Sequence, residues 1–259
     1  MGYTQFCRGF SYIKAWAAAL NCDMIDHILQ NGSDWIMAKK VKIKKSKLTP
    51  CLGVCTDARL EMVDSMERED DVIDLHFQEQ SLEDETFYNL YFENVFFDHC
   101  TFSKVALERC SFKNVVFDSC AFPNCDFSHS WFSQCEFKGS QLVGANFGEC
   151  KFIDFTVEKS ALRYANFTSA QFDKCEIVDC DLSDTFFAGC KLKFFETRQS
   201  QYVRTDFFRT PLKDVDFSAC DLEGVCVSEH AEELKGVIVN VYQAVELSKL
   251  LGIRIKEDE

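Results

Sequence analysis

The chain is rich in residue types that bind metals or act as nucleophiles, with 15 cysteines and 5 histidines in 259 residues. A zinc site needs thiolates and imidazoles at short spacing, usually with a C-x-x-C pair. Cys51 and Cys55 form a C-x-x-x-C pair that has no matching second pair. No Ser/His/Asp, phosphate-loop or metal-ligand motif occurs. We therefore predict no enzymatic activity, no metal and no cofactor.

Most of the cysteines follow a regular spacing that explains them without metal chemistry. Between residues 85 and 225, ten of the 15 occupy positions whose numbers end in 0 or 5. A free cysteine behaves as a small hydrophobe and is normally buried. The pattern therefore predicts core packing for Cys100, Cys110, Cys120, Cys125, Cys135, Cys150, Cys175, Cys180, Cys190 and Cys220.

Large apolar residues recur with a period of five. The 32 positions from Val72 to Val227 whose numbers end in 2 or 7 hold 18 Phe, eight Leu, three Val and one Ile, with Thr197 and Tyr202 as the remaining two. This period fits neither the 3.6 residues of a helical turn nor the alternation of a simple strand. The unbroken phase excludes any inserted loop whose length is not a multiple of five.

Two positions before each large residue the chain carries a small one. Of the 29 positions from 85 to 225 whose numbers end in 0 or 5, 25 are Ala, Cys, Ser, Thr or Val. Residues two apart on an extended chain point to the same side, so both point inward. The pattern predicts an all-β solenoid whose coils pair through backbone hydrogen bonds. Phe155 and Phe195 break the size rule, each before a reduced centre, which we interpret as a volume swap.

This pattern resembles the pentapeptide-repeat family, whose consensus is A(D/N)LXX. The segments YANFT, CDLSD, VDFSA and CDLEG match it, at 164–168, 180–184, 215–219 and 220–224. The resemblance implies a right-handed quadrilateral β-helix with four units per coil. In agreement, five of the eight central leucines fall in one column when the centres are sorted by a period of 20.

When the outward residues are sorted by face, the charge proves to be unevenly distributed among the four faces. The net charge of the chain is −14, which argues against direct binding to nucleic acid. The face centred on positions 77, 97 and onward to 217 carries nine acids against three basic residues, a net of −6. We interpret it as a candidate partner-binding surface, with ordinary solubilising charge as the alternative. The nine acids are Glu79, Asp98, Asp118, Glu136, Glu158, Glu176, Asp179, Glu196 and Asp216.

The segment after the repeat is predicted to be a helix. In NVYQAVELSKLL at 240–251, Asn240 suits the N-cap and Gly252 follows as a stop. A solenoid end needs a cap against stacking. Because the helix has more apolar residues than one contact face needs, we expect it to cap the last coil and also to form a homodimer, with a monomeric cap as the alternative. The candidate dimerisation residues are Tyr242, Val245, Leu247, Leu250, Leu251 and Ile253.

The end of the chain resembles a subgroup of the family. FRTPLKDVDFSACDLEGVCVS at 208–228 and LKGVIVNVYQAVELSKLLGIRI at 234–255 are similar to the end of the Qnr/MfpA quinolone-resistance proteins, of the loop-free, Gram-positive type. The resemblance implies a DNA-like dimeric rod that binds DNA gyrase or topoisomerase IV. A scaffolding protein with another protein partner is the second hypothesis, and an enzyme is the third.

We predict that the chain divides into four regions. Residues 1–36 are a non-native or disordered extension, and residues 37–70 are a basic segment and lead-in. Residues 71–229 form the solenoid, and residues 230–259 form the C-terminal cap and dimerisation helix. Six lysines lie between positions 39 and 47. We interpret them as a solvated tail, with an electrostatic contact to nucleic acid beside a topoisomerase as the alternative. No secretion signal or membrane span is recognisable, so we expect a cytoplasmic protein with reduced thiols and no membrane partner.

Overall fold

The computed structural model describes residues 42–49 and 51–256. The extension predicted for residues 1–36 lies outside the described residues. The described chain enters the solenoid through strand β1 (Gly53–Cys55) and helix α1 (Ala58–Arg68). After the solenoid come a 3₁₀ helix (Glu232–Leu234) and helix α2 (Val241–Leu250).

The solenoid consists of short parallel strands that repeat every 20 residues. Phe92 pairs in register with Phe112, and isolated bridges continue the same offset as far as Cys226. Each coil therefore contains four five-residue units, which confirms the four-sided β-helix. The strands are β2 (Val72–Ile73), β3 (Leu75–Gln78), β4 (Ser81–Glu83), β5 (Thr86–Tyr88), β6 (Tyr91–Asp98), β7 (Thr101–Ser103), β8 (Ala106–Glu108), β9 (Ser111–Asp118), β10 (Trp131–Ser133), β11 (Glu136–Lys138), β12 (Lys151–Glu158), β13 (Gln171–Val178) and β14 (Lys191–Arg198).

The four sides of the coil are named here by the large inward residue at the centre of each unit. The first face has centres 72, 92 and onward to 212, and the acidic face has centres 77, 97 and onward to 217. The third face has centres 82 to 222 and the fourth face has centres 87 to 227, again at intervals of 20. The longest strands, such as β6 and β13, continue from the first face onto the acidic face.

Almost every unit ends in a residue with left-handed backbone. From Glu69 to Gly224, positions whose numbers end in 4 or 9 have positive φ, with Ala219 as the exception. This conformation costs an L-residue about 1–2 kcal/mol and is worst for β-branched side chains. The corner positions accordingly contain no Val, Ile or Thr. Pairing between coils has to offset this strain at every corner.

Stacked phenylalanine rings fill much of the interior. Ring centroids from Phe92 to Phe172 on the first face are 4.7–5.1 Å apart. Those from Phe77 to Phe137 on the acidic face are 4.3–5.0 Å apart. A third stack, from Phe127 to Phe187 on the fourth face, has spacings of 4.8–5.1 Å. These values match the separation of paired strands, so the stacks follow from the coil register.

Phe155 and Phe195, the large residues of the two predicted volume swaps, are both buried in the core. Phe155 packs against Phe152 with centroids 4.6 Å apart, beside the reduced centre Val157. Phe195 contacts Phe172 edge-on at 5.6 Å. Its reduced centre, Thr197, has a further role, because its hydroxyl lies 2.8 Å from the hydroxyl of the fully buried Tyr202. The second swap therefore also provides the partner of a buried phenol.

We predict that the Thr197–Tyr202 pair is coupled in stability. Thr197→Val leaves the Tyr202 hydroxyl buried without this partner, which lowers the free energy of unfolding by about 1–3 kcal/mol. Adding Tyr202→Phe to that variant removes the orphaned hydroxyl and restores most of the loss. Urea unfolding of wild type, both single variants and the double variant measures the coupling. A double variant no more stable than Thr197→Val would contradict it.

The N-terminal end of the solenoid is covered by elements that the sequence pattern did not predict. Strand β1 pairs with β3, and Ala58 and Met62 of helix α1 join the core. The helix is capped by the side chain of Asp57, and the N–H of Ala58 donates to Gln80 Oε1 at 3.0 Å. The lead-in therefore closes the first coil and covers its exposed edge. In the sequence, Asp57 followed by a run without Gly or Pro could have indicated the start of helix α1.

Candidate partner-binding surfaces

The acidic face carries its carboxylates in columns, because units one coil apart are held in register. Glu176 pairs with Glu196, and Asp98 pairs with Asp118, so like charges lie directly opposite each other on adjacent strands. Like charges in this arrangement are destabilising. All nine predicted acids belong to this one side of the coil, and eight of them remain at least partly accessible.

Contacts with basic side chains divide these acids into two groups. Asp98 contacts His76 and His99, Glu158 contacts Lys159, and Glu176 contacts Arg198 at 2.5 Å. Within residues 42–49 and 51–256, the other accessible acids form no ion pair; they are Glu79, Asp118, Asp179, Glu196 and Asp216. Together with Asp98, whose contacts are to histidines and not to lysine or arginine, these five carboxylates account for the net charge of −6 on the acidic face.

Glu136 differs from the rest of the predicted set. Glu136 is only 4% exposed, and its carboxylate lies 2.9 Å from Lys138 Nζ. The bulk of neighbouring units covers it, which a count of charges per face does not reveal. Glu136 is therefore buried and paired with the partly exposed Lys138, and we remove it from the candidate contact residues.

Helix α2 begins and ends where the sequence pattern predicts. Asn240 is the N-cap, its side chain and that of Gln243 form a capping box, and Gly252 follows with φ 74°. Gln243 Nε2 also donates to the carbonyls of Phe217 and Cys220, at 2.9 and 2.6 Å. The helix thus caps the last coil by satisfying carbonyls that no further coil pairs.

The predicted dimerisation residues separate into an inner and an outer group. Leu247 is buried against the last coil, so it serves the cap and is withdrawn from the dimerisation set. Tyr242, at 85% exposed, and Val245 lie on the side of α2 away from Leu247, together with the exposed Val241, which the prediction omitted. Leu250, Leu251 and Ile253 are also exposed. An apolar patch of this kind typically marks an interaction site.

The described part of the lysine-rich segment is bound along the rod through its main chain, in contrast to the predicted solvated tail. Residues 42–49, which we name the strap, follow the corner between the first face and the acidic face. Lys44 N–H donates to Asp154 Oδ1 at 3.1 Å. Asn114 accepts from the N–H of Lys47 at 2.6 Å and donates to its carbonyl at 3.0 Å.

The start of the solenoid also holds the strap. The N–H of Thr49 donates to Asn94 Oδ1 at 3.0 Å, and Asn94 Nδ2 donates to Thr49 Oγ1 at 2.7 Å. Asn94 and Asp154 are buried polar residues that use these bonds to satisfy their side chains. Since Asn94, Asn114 and Asp154 lie at left-handed corner positions 20 and 40 residues apart, the site exists only once the coils are stacked.

The inward cysteines are hydrogen-bond donors as well as small apolar residues. The thiols of Cys125, Cys150 and Cys190 lie 2.9–3.0 Å from the carbonyl oxygen 23 residues earlier. Ser130 and Thr205 use their hydroxyls in the same way, at 3.0 and 2.8 Å. The position therefore selects small side chains that can donate, a preference that the size pattern alone did not reveal.

Burial makes five of these thiols unreactive. It raises the pKa of Cys110, Cys125, Cys135, Cys150 and Cys190 to about 12. The thiolate, which is the nucleophile and the metal ligand, is therefore scarce at neutral pH. No cluster of three potential metal-binding side chains occurs in the described part of the chain.

Over the same residues, no helix is long and apolar enough to cross a membrane.

We predict that alkylation will distinguish the core cysteines from the surface ones. Iodoacetamide at pH 7.5 labels the exposed Cys51 and Cys226 of the native protein, whereas Cys125 and Cys150 react only after unfolding. Raising the pH to 9 leaves this contrast intact, because it is still far below the core thiols' pKa of about 12. Peptide mass spectrometry reads each site separately. Labelling of native Cys125 at the rate of Cys226 would contradict the prediction.

Two family models match parts of the repeat. The one described as "Pentapeptide repeat region" matches residues 71–147, and "Pentapeptide repeats (8 copies)" matches residues 140–176. Together with the coil geometry, these matches show that residues 71–176 carry the repeats of the pentapeptide-repeat family. No curated protein matches it.

Solved structures of the same kind are similar at low TM-score. A trypsin-treated form of QnrB1, a plasmid-mediated fluoroquinolone resistance protein, is 20% identical and has a TM-score of 0.40, covering 71% of this chain and 99% of its own. HetL, a pentapeptide-repeat protein involved in heterocyst differentiation regulation in the cyanobacterium Nostoc sp. strain PCC 7120, is 10% identical with a TM-score of 0.34. That match covers 68% of this chain and 95% of HetL.

Proposed function

We propose that this protein is a binding rod that engages a type II topoisomerase, DNA gyrase or topoisomerase IV, and protects it from fluoroquinolones. The observation that carries the proposal is the row of uncompensated carboxylates on the acidic face: Glu79, Asp118, Asp179, Glu196 and Asp216. Duplex DNA presents a rigid row of negative charges to such an enzyme. A rod with carboxylates in fixed columns offers a basic DNA groove a similar field.

The rigidity of the coil supports this proposal. Asp118, Glu158 and Glu176 project from strands that are paired on both sides, so their backbone is already ordered before a partner binds. Preorganised charges lose less entropy on association than charges on a flexible chain. In each like-charge pair one acid, Asp98 or Glu176, contacts a basic side chain of the rod. The other acid, Asp118 or Glu196, forms no ion pair and is free to contact a basic partner.

The choice of partner draws on the sequence resemblance at the end of the chain. Residues 208–228 and 234–255 resemble the corresponding segments of the Qnr/MfpA group. In this protein they form the last coils and the cap with helix α2. The alternative is a scaffolding protein that binds a different protein partner and has no enzymatic activity.

A supercoiling assay tests the topoisomerase. Gyrase inhibited by ciprofloxacin is expected to regain supercoiling when the wild-type protein is added. In the variant Asp179→Lys/Glu196→Lys/Asp216→Lys, reversal of charge on the acidic face raises the concentration needed for half-recovery at least about tenfold. The matched control Glu108→Lys/Glu149→Lys/Glu229→Lys makes the same change in net charge away from that face.

The outcomes separate the two hypotheses. Recovery with wild type and with the control, but not with the acidic-face variant, supports both the partner and the surface. Equal loss in both variants would assign the effect to overall charge and reject the surface. No recovery, together with no binding of wild type to gyrase in a pull-down, leaves the scaffolding hypothesis as the better account.

Dimerisation is the second part of the proposal. The exposed side chains of Val241, Tyr242 and Val245 would be buried if the α2 helices of two copies packed against each other. Apolar burial contributes roughly 25 cal/mol per Å² removed from water, which favours covering this patch. Two rods joined at their C-terminal ends would present one long acidic surface.

Light scattering tests the dimer with closely matched variants. Tyr242→Asp/Val245→Asp is expected to convert a wild-type dimer into a folded monomer, because the two carboxylates oppose burial of the patch. The control Tyr88→Asp/Val143→Asp changes the same residue types at 54% and 37% exposure, against 85% and 38% on the helix. A monomeric wild type, or a dimer that survives the helix variant, would reject this arrangement.

A further inference from the structure

The lysines of the strap are held in place but have no ionic partner. Lys42, Lys44, Lys45 and Lys47 are exposed, and among the described residues none of them forms an ion pair. The contacts that fix Lys44 and Lys47 use main-chain atoms, so their ammonium groups remain free. Buried polar side chains thus position a line of positive charges along one corner of an acidic protein.

The C-terminal half of the first face continues this positive surface. Its units centred on 152, 172, 192 and 212 carry five lysines against three aspartates. We name these units, together with the strap, the lysine surface. It contains Lys42, Lys44, Lys45, Lys47, Lys151, Lys174, Lys191, Lys193 and Lys213, with Asp154, Asp173 and Asp214.

The charge of the lysine surface is opposite to that of its neighbour. Nine lysines against three aspartates give a net of +6, beside an acidic face of −6. Two of the aspartates are already engaged, since Asp154 accepts the Lys44 N–H and Asp173 lies 2.8 Å from Lys193 Nζ. The net charge of −14 therefore conceals a strongly positive side.

Elsewhere on the described chain every lysine except Lys256 forms an ion pair. Lys104, Lys159, Lys235 and Lys249 each pair with a carboxylate. On the lysine surface, Lys193 is the one lysine with an ion pair among the described residues. Unpaired positive charge is thus concentrated where the strap and the first face meet.

We propose that the lysine surface binds the phosphate backbone of duplex DNA. Lysines act as point charges, and the surface has no arginine to read a base or a carboxylate in a bidentate way. Such a surface recognises charge density and gains affinity through release of counterions, which duplex DNA supplies best with about one charge per 1.7 Å of axis. A flexible acidic peptide offers lower density and loses entropy on ordering.

This inference does not depend on the proposed function, because it concerns the protein and DNA alone. It revises the expectation from net charge that the protein makes no direct contact with nucleic acid. The two charged sides of the rod would allow simultaneous contact with a basic protein and with a DNA segment.

Fluorescence anisotropy tests the proposal with the full chain and a labelled 25-base-pair duplex, titrated at several NaCl concentrations. Wild type is expected to bind in a salt-dependent way and without sequence preference. Lys42→Gln/Lys44→Gln/Lys45→Gln/Lys47→Gln keeps the main-chain contacts of the strap. It is expected to weaken binding at least about tenfold near 50 mM salt and to reduce the salt slope by about 3.

Two further variants make the result specific. Lys104→Gln/Lys159→Gln/Lys235→Gln/Lys249→Gln removes the same number of charges outside the lysine surface, and it is expected to bind within about twofold of wild type. Asn114→Ala removes the two-way contact to Lys47 while it keeps every lysine. Because the strap is then less well fixed, affinity is expected to fall two- to fivefold, roughly.

Several outcomes would overturn the proposal. These are no salt-dependent binding by wild type, equal weakening by the two four-lysine variants, or displacement of the duplex by poly-L-glutamate as effectively as by unlabelled DNA. The last result would identify an acidic protein as the better occupant. Unchanged binding by Asn114→Ala, with loss in the strap variant, would reject the role of a fixed strap.

Discussion

Hydrogen bonding between coils at an offset of 20 residues is the constraint on which the rest of this structure depends. Each unit donates and accepts along the rod axis, so a residue in one coil lies directly over its counterpart in the next. The left-handed corner after every unit is unfavourable in isolation, and it persists because pairing on both sides determines it. The phenylalanine stacks have the same origin, since their spacing of about 5 Å is the coil repeat.

The small inward position adds a second set of bonds to this register. Thiols and hydroxyls there donate to carbonyls 23 residues earlier, as Cys150 does to Phe127. A cysteine at this position combines low volume, an apolar surface and a weak donor. The abundance of cysteine thus has a structural explanation, and the raised pKa of Cys110, Cys125 and Cys150 is a consequence of their burial. Thr197 and Tyr202, which depart from the repeat pattern, form a further side-chain hydrogen bond inside the core.

The register also distributes charge. Because side chains 20 residues apart share a face, a run of acids scattered through the sequence becomes the acidic face. The strap adds positive charge at the adjoining corner, where Asn94, Asn114 and Asp154 bind its main chain. The rod therefore has two neighbouring sides of opposite sign, although its composition is simply acidic. Both proposed interactions follow from this separation.

The period of five by itself determined the solenoid, the inward positions and the burial of nine of the ten cysteines predicted to lie in the core, because each depends only on spacing along a regular backbone; Cys220 is the exception, being only partly buried. The column of acids also required four units per coil, which the family resemblance implied. Asn240 and Gly252 likewise marked the C-terminal helix through local capping chemistry. Only the tertiary structure decided that Glu136 is internal, that Leu247 faces the last coil, and that helix α1 closes the first one. Only the tertiary structure also brought the strap against Asn114 and Asp154, which are 67 and 110 residues from their partners in the strap. Local spacing carries no information about contacts of that range, because they exist only after the coils have stacked.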